Sequence, residues 1–184
     1  TGNTRTQDEV IRREIGVSEG GLYSRSILKK SLLNLRRLGY FSDVQISTSE
    51  VEGMPDKIDI NFDVEETQTG SVSFSMSHSN NYGVSFGAGV QEKNIFGSGN
   101  TLNADLKIAK SFNKVSFYFM NPNFNDEGHS VSIGAFKSEI DNDDVAANSY
   151  EIDTTGVNFG YGLPLSDNTR INAGLEYSKN DIKC

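Results

Sequence analysis

The stretch Thr69-Gly70-Ser71-Val72-Ser73-Phe74-Ser75-Met76-Ser77-His78 marks the point at which the chain changes character. Before it the sequence is charged and partly helical in pattern, and after it apolar and polar residues alternate to the end. Val72, Phe74 and Met76 alternate with serines, and a period of two places large apolar groups on one face of a strand and hydroxyls on the other. The sequence therefore predicts two domains that meet near Gly70.

Composition narrows the classes of function. The 184 residues carry a formal net charge of -8, whereas a protein that binds nucleic acid needs a basic surface, so nucleic acid is not expected as a partner. No run of about 18 apolar residues predicts a transmembrane helix, although alternating strands can cross a bilayer with only a weak hydropathy signal. The single cysteine, Cys184, excludes an intramolecular disulfide and a cysteine-rich metal site.

Two amphipathic helices and a hairpin are predicted before Gly70. Thr6-Gln7-Asp8-Glu9 has the spacing of a capping box, which predicts a helix that begins near Gln7. Ser24 is placed to cap a second helix that ends at Gly39, and its leucines recur at three- and four-residue steps. Two alternating runs on either side of Gly53-Met54-Pro55-Asp56 then predict a hairpin with one buried face.

From Gly70 onward the pattern predicts seven strands whose apolar faces carry no charge before Lys137, which is expected at a strand tip. Such strands fit either a soluble β-sandwich or a transmembrane barrel. Several run about 9 to 11 residues, the length that crosses a bilayer when tilted, so the barrel is favoured. The residues expected to face lipid are Val72, Phe74, Phe86, Leu106, Phe117 and Phe159.

Nine short motifs run in order through almost the whole chain. They are Asn3-Thr4-Arg5-Thr6, Arg12-Arg13-Glu14, Glu19-Gly20, Leu38-Gly39-Tyr40-Phe41, Pro55-Asp56-Lys57-Ile58-Asp59, Glu65-Glu66-Thr67-Gln68-Thr69-Gly70-Ser71, Gly83-Val84-Ser85-Phe86-Gly87-Ala88-Gly89-Val90-Gln91, Asn94-Ile95-Phe96-Gly97-Ser98-Gly99 and Asn121-Pro122-Asn123-Phe124. Each is weak alone. Together they resemble the signatures of the outer-membrane protein assembly factors, a family of the POTRA-linked β-barrel insertase superfamily.

The resemblance implies an α+β POTRA domain followed by the N-terminal part of an antiparallel transmembrane β-barrel. Residues 1–66 would form the last POTRA domain of the family, a β-α-α-β-β unit whose first strand is missing. Residues 67–184 would form the first seven strands of a barrel of about 16 strands, a number within the usual range. The barrel would lie in the bacterial outer membrane and the POTRA domain in the periplasm. Because the other parts of the family's chain are absent from this sequence, it is not expected to act alone.

The family's function implies a non-enzymatic assembly factor that needs no cofactor. Its partners would be unfolded outer-membrane protein clients, the accessory lipoproteins of the assembly machine and outer-membrane lipid. Clients would pair with the edge of the first barrel strand, because its glycine and serines offer little cross-strand packing to hold a resident partner. That edge comprises Thr69, Gly70, Ser71, Val72, Ser73, Phe74, Ser75, Met76, Ser77 and His78. An ordinary, permanently paired strand is the alternative.

Glu19 is the residue assigned to lipoprotein docking, because it follows the Arg12-Arg13-Glu14 motif in the helical region. A structural loop glutamate is the alternative interpretation of this residue. For the whole protein, a POTRA-linked pore for two-partner secretion or translocation is the second hypothesis. The full-length sequence would separate the two, because five POTRA domains favour assembly and two favour secretion.

A barrel-type outer-membrane hydrolase is the third hypothesis, suggested by His78 between Ser77 and Ser79. A catalytic triad also needs an acid and an oxyanion hole, and the sequence identifies neither. His78 and His129 are the only histidines, with no clear carboxylate cluster beside either, so no metal site is expected.

Overall fold

The computed structural model describes residues 1–80, 83–141 and 150–183; Cys184 lies outside them. The chain divides into two compact units. The first comprises Thr1–Thr69 with Asn94–Gly99, and the second comprises Gly70–Lys93 with Asn100–Cys184. In chain order the elements are α1 (Asp8–Glu14), α2 (Arg25–Leu38), β1 (Phe41–Val51), β2 (Met54–Glu66), β3 (Gly70–Ser79), β4 (Gly83–Ile95), β5 (Asn100–Ala109), β6 (Phe112–Asn121), β7 (Ser130–Asp141), β8 (Glu151–Ser166) and β9 (Thr169–Lys183).

The core of the first unit forms between its helices and the β1–β2 hairpin. Leu35 of α2 is fully buried, and the leucine periodicity that predicts α2 therefore gives the buried face of the helix. Around Leu35 the cluster contains Val10, Ile11, Tyr40, Phe41, Val44 and Val64. Gly39 ends α2 in the left-handed conformation, with φ of 71°, as its position in the sequence predicts.

The β1–β2 hairpin is antiparallel, with Val44 opposite Val64 and Ile46 opposite Phe62 on the same face. Its turn is shorter than the predicted one, because β2 already begins at Met54. On the other side of β2, the Val64 N–H donates to the Thr1 carbonyl oxygen at 3.0 Å. Thr1 thus lies along the side of β2 that does not pair with β1.

The capping predictions for both helices are wrong in their side-chain detail. Gln7, not Thr6, is the N-cap of α1, and it makes no side-chain cap bond. The Thr6 hydroxyl instead accepts a hydrogen bond from the Asn94 side chain. Ser24 is the N-cap of α2, but its hydroxyl lies 2.9 Å from the Ser26 hydroxyl rather than capping the backbone.

The second unit is a seven-stranded antiparallel sheet in the described part of the chain, with the strands adjacent in sequence order from β3 to β9. Its strands run from 10 to 16 residues, longer than the typical globular strand of about 5 to 6. The six residues predicted to face lipid are all exposed, from Leu106 at 43% to Phe74 at 83%. Among the described residues, no helix is long and apolar enough to span a bilayer.

The outward apolar face changes character near one end of β7, β8 and β9. Lys137 does not lie at a strand tip as predicted, because β7 continues to Asp141. On the same face, Glu139 lies opposite Asp153, which lies opposite Asp181. On the other face the row Ile140, Ile152 and Ile182 is apolar. The two faces therefore exchange polarity beyond the row of Ala135, Val157 and Tyr177, which marks the end of the lipid-compatible band.

Candidate functional site

Strand β3 forms one edge of the sheet, and β4 is its strand partner in the described residues. All 10 of its residues are exposed. An edge strand presents a row of backbone N–H and C=O groups that can pair with another chain. The structure thus places Gly70 to His78 of the predicted pairing edge on a sheet edge, while Thr69 belongs to the first unit.

The two faces of β3 differ in what they offer a partner strand. On the apolar face Phe74 lies opposite Ala88, and on the polar face Ser73 and Ser75 lie opposite Gly89 and Gly87. A serine opposite glycine contributes little cross-strand packing. A shallow polar depression of about 190 Å³ adjoins these residues, lined by Ser71, Ser73, Gly89, Val90, Gln91, Asn103 and Asp105. Backbone pairing, rather than side-chain packing, therefore dominates the interactions available to β3.

The two histidines occupy different surroundings. His78 is exposed on β3 opposite Val84. The Nε2 atom of His129 lies 3.1 Å from a Glu127 carboxylate oxygen, and its Nδ1 atom lies 2.6 Å from the Tyr161 hydroxyl. Tyr161 comes from β8 and is distant in sequence, so only the strand order brings the three together. Among the described residues, no group of three or more histidine, cysteine or acidic side chains could hold a metal ion.

Glu19 lies in the loop between α1 and α2. Its carboxylate is 3.0 Å from an Arg12 guanidinium nitrogen, and both side chains are largely exposed. An exposed ion pair of this kind contributes at most about 1 kcal/mol to stability. Leu22, three residues further on, is 93% exposed. The loop thus presents one exposed apolar side chain near the charged pair in sequence, which is ordinary for a protein surface.

A hydrogen-bonded cluster in the first unit is centred on Glu66, at the end of β2. One carboxylate oxygen accepts the N–H groups of Thr4 and Arg5 and the Thr4 hydroxyl, all at 2.9 Å, and the other accepts the Thr6 N–H at 2.6 Å. Partial burial raises the pKa of Glu66, but the hydrogen bonds from Thr6, Arg5 and Thr4 outweigh it and lower the pKa to about 2. The carboxylate thereby fixes residues 4–6 against the end of β2.

Protonation of Glu66 should destabilise the first unit. A lowered pKa contributes stability that is present above the ordinary pKa of 4.5 and is lost as the pH falls towards about 2. Allowing for solvent screening, we expect a loss of about 2 kcal/mol. Urea unfolding at pH 6 and pH 2.5 should show this loss in the wild type and a smaller pH-dependent loss in Glu66→Gln. If the variant retained the full loss, or if Glu65→Gln removed it equally, the role of Glu66 would be contradicted.

The β4–β5 turn, Asn94–Gly99, is part of the first unit. Asn94 is 2% exposed. Its side-chain amide donates to the Thr6 hydroxyl at 2.9 Å, and its side-chain carbonyl oxygen accepts the Gly99 N–H at 2.7 Å. The Gln7 N–H donates to the Gly97 carbonyl oxygen at 2.9 Å, and the Tyr40 hydroxyl donates to the Gly99 carbonyl oxygen at 3.3 Å. The turn is therefore held by the backbone and side chains of the first unit.

Sequence reasoning missed the roles of these residues. Asn3 to Thr6, Glu66 and the Asn94 turn enter the sequence argument only as family motifs, and Thr6 is assigned to a helix cap. A polar residue in a short motif gives no signal of a partner up to 88 residues away. The three motifs are joined only after folding.

The first unit is an α+β domain, and long antiparallel strands with one apolar face and a serine-lined edge follow it. This arrangement is that of a POTRA domain linked to strands of the membrane-barrel class. Comparison with known families agrees. Residues 1–67 match POTRA, described as a surface antigen variable number repeat, and residues 94–184 match the Omp85 superfamily domain. The two parts of the chain thus resemble a POTRA domain and an Omp85 superfamily domain.

Similar proteins give the same assignment. The outer membrane protein assembly factor BamA of Neisseria meningitidis is 32% identical over 95% of this chain and 22% of its own length, and BamA of Buchnera aphidicola is 31% identical over 99% and 30%. A crystal structure of BamA from Haemophilus ducreyi lacking POTRA domains 1-3 is 28% identical, with a TM-score of 0.82 over 100% of this chain and 35% of that one. CdiB from Acinetobacter baumannii, at 10% identity and a TM-score of 0.66, shares the fold.

The chain thus spans between a fifth and a third of the length of these curated relatives. The recognition made from the motifs and the predicted fold class are both confirmed. The Omp85 domain and the BamA relatives also confirm the bacterial outer membrane as the location, with the POTRA part consistent with the periplasm.

Proposed function

We propose that the protein to which this chain belongs assembles outer-membrane β-barrel proteins, and that β3 is the strand with which its clients pair. The observation that carries this proposal is the pairing of β3, an edge strand of the described sheet in which Ser73 and Ser75 lie opposite glycines of β4 and add little cross-strand packing. Several proteins similar to this chain are named as outer membrane protein assembly factors, which supports the same function.

The physical basis is the cost of an unpaired strand edge in lipid. Each backbone group without a hydrogen-bond partner costs several kcal/mol in the hydrocarbon region. An edge that is not permanently occupied will therefore accept a compatible strand from an unfolded client. Backbone bonds supply affinity with little demand on client sequence, and side-chain alternation sets the register.

No cofactor is required by this mechanism. A client gains free energy as it buries apolar surface and completes its own backbone pairing, and β3 lowers the barrier by offering the first pairing partner. The exposed residues Val72, Phe74 and Met76 face the same way as the apolar side chains of β4 to β9, so a client strand added to β3 would continue a lipid-compatible face. Outer-membrane lipid is therefore a partner in the proposal.

We further propose that accessory lipoproteins dock on the helical side of the first unit through the Glu19 loop. Glu19→Lys would replace the ion pair with Arg12 by repulsion and reverse the charge presented to a partner. We expect lipoprotein co-purification to fall about 5- to 30-fold, equivalent to about 1–2 kcal/mol. Glu52→Lys, an equal charge reversal in the exposed β1–β2 turn, is the matched control. Unchanged co-purification of the Glu19 variant would remove this loop from the docking site.

An assembly assay with the full-length protein in lipid vesicles tests the proposed function against the two alternatives. An assembly factor should increase the rate at which an added unfolded barrel protein becomes folded and protease-resistant in the membrane by about 10-fold or more over empty vesicles, a barrier reduction of about 1.4 kcal/mol. A secretion pore would instead deliver a soluble passenger into the vesicle lumen. A hydrolase would release cleaved lipid or peptide. Either of these results without accelerated client folding would overturn the proposal.

A further inference from the structure

The chain leaves the first unit for β3 and returns to it after β4, and the two crossing points are held by the same residues. Glu66 and Thr67 form the approach to β3, and Asn94–Gly99 is the turn that follows β4. All of these residues belong to the first unit. What fixes them therefore fixes both ends of the segment that contains the proposed pairing edge.

Thr6 is the first residue that contacts both crossing points. Its N–H donates to the Glu66 carboxylate at 2.6 Å, and its hydroxyl accepts the Asn94 side-chain N–H at 2.9 Å. At 4% exposure, Thr6 is removed from competing water. Loss of the hydroxyl would leave the Asn94 amide without this buried partner.

Tyr40 is the second such residue. Its carbonyl oxygen accepts the Thr67 N–H at 3.0 Å, and its hydroxyl donates to the Gly99 carbonyl oxygen at 3.3 Å. Tyr40 is also buried, and its position directly after Gly39 places it between α2 and β1. Thr6 and Tyr40, both buried, thus each connect the approach to β3 with the turn after β4.

The register of β3 on β4 needs such a constraint. Gly70 pairs with Glu92. This end of the β3–β4 ladder therefore lies a few residues after Thr67 on one strand and two residues before Asn94 on the other. At the middle of the polar face Ser73 and Ser75 lie opposite Gly89 and Gly87, and these pairs give little resistance to slippage. The short connection between Ser79 and Gly83 constrains one end of the β3–β4 ladder, as in any hairpin, so the approach to β3 and the turn after β4 are the segments that constrain the other end.

We propose that Thr6 and Tyr40 are positioning residues that set the register of β3 on β4 by holding the approach to β3 and the turn after β4 together. For client assembly, which rests on the proposed function above, they would fix which β3 groups face the incoming strand. Neither residue touches the client. They act through Glu66, Thr67 and the Asn94–Gly99 turn.

Intrachain disulfides in the full-length protein test this directly. Ser71→Cys with Gln91→Cys reports the observed register, because the two residues are paired, and Ser71→Cys with Gly89→Cys reports a slip of two residues. We expect the in-register pair to dominate in the otherwise native protein. Thr6→Val replaces the Thr6 hydroxyl by a methyl group and Tyr40→Phe removes the Tyr40 hydroxyl; together they should raise the ratio of slipped to in-register product at least 5-fold.

Two controls separate positioning from general destabilisation. Thr6→Ser retains the hydroxyl and should keep the native ratio, and Tyr23→Phe removes an exposed tyrosine hydroxyl and should do the same. If the double variant lost folded protein or total disulfide yield while the ratio stayed native, the inference would be overturned. The ratio of slipped to in-register disulfide is measured without a client. A failure of client pairing would therefore overturn the proposed function but not the role of Thr6 and Tyr40 in setting the register.

Discussion

Leu106→Arg in the complete protein should destabilise the membrane-inserted sheet by about 2–4 kcal/mol, the cost of a cationic side chain on the lipid face near the bilayer midplane. Leu106 is an outward residue of β5, exposed at 43%, and it pairs with Val115. Its neighbour Asp105 lies on the opposite face, opposite Ser116, so Asp105→Arg should cost less than about 1 kcal/mol. Equilibrium folding into lipid vesicles along a guanidinium series would measure both variants.

The comparison between the two adjacent positions is what tests the face assignment. Both variants place the same guanidinium on the same strand, one residue apart, so intrinsic strand propensity and depth are matched. A loss at Asp105→Arg equal to the loss at Leu106→Arg would mean that the apolar face does not meet lipid.

Gly97→Ala is expected to destabilise the first unit by about 2–5 kcal/mol. Gly97 has φ of 71°, and a Cβ there would overlap the carbonyl oxygen of Arg5. The left-handed conformation costs a non-glycine residue about 1–2 kcal/mol, and forced displacement in a packed region adds about 1–3 kcal/mol. Urea unfolding of the full-length protein, followed by a probe in the first unit, gives the measurement.

Gly53→Ala is the matched control, because Gly53 has φ of 76° and nothing within 4 Å of the added Cβ. It should show the conformational cost alone, about 1–2 kcal/mol. The difference between the two variants isolates the contact of the β4–β5 turn with Arg5. Equal effects would mean that the turn is free to move away from that contact.

The sequence predicts the elements well because their causes are local. Alternation along β3 to β9 is a property of neighbouring residues, and the leucines of α2 report its buried face. The end of a helix is predicted correctly where a single residue determines it, as Gly39 does for α2. The shortened β1–β2 turn and the continuation of β7 past Lys137 depend on pairing with another strand, which a single run does not reveal.

Side-chain partners are predicted poorly because they depend on residues distant along the chain. The Thr6 hydroxyl has the spacing of a helix cap, but a buried amide donor from Asn94 competes successfully for it. The pairing of His129 with Glu127 and Tyr161 arises from a turn and a neighbouring strand. The β3 edge is predicted from its own pattern, whereas its client and the lipoprotein role of Glu19 stay predictions.

The central claim is that β3 pairs with client strands, and disulfide capture with a stalled client tests it most directly. Single cysteines at Ser73 and Ser75 in the full-length protein would be combined with cysteines along the terminal strand of a client arrested during assembly. Both serines lie on the same face of β3, two residues apart, so a paired client should shift its preferred cysteine by two positions between them. Register-specific disulfides to the client with that shift are the predicted result. Disulfides formed only with the protein's own last strand, while clients are stalled, would contradict it.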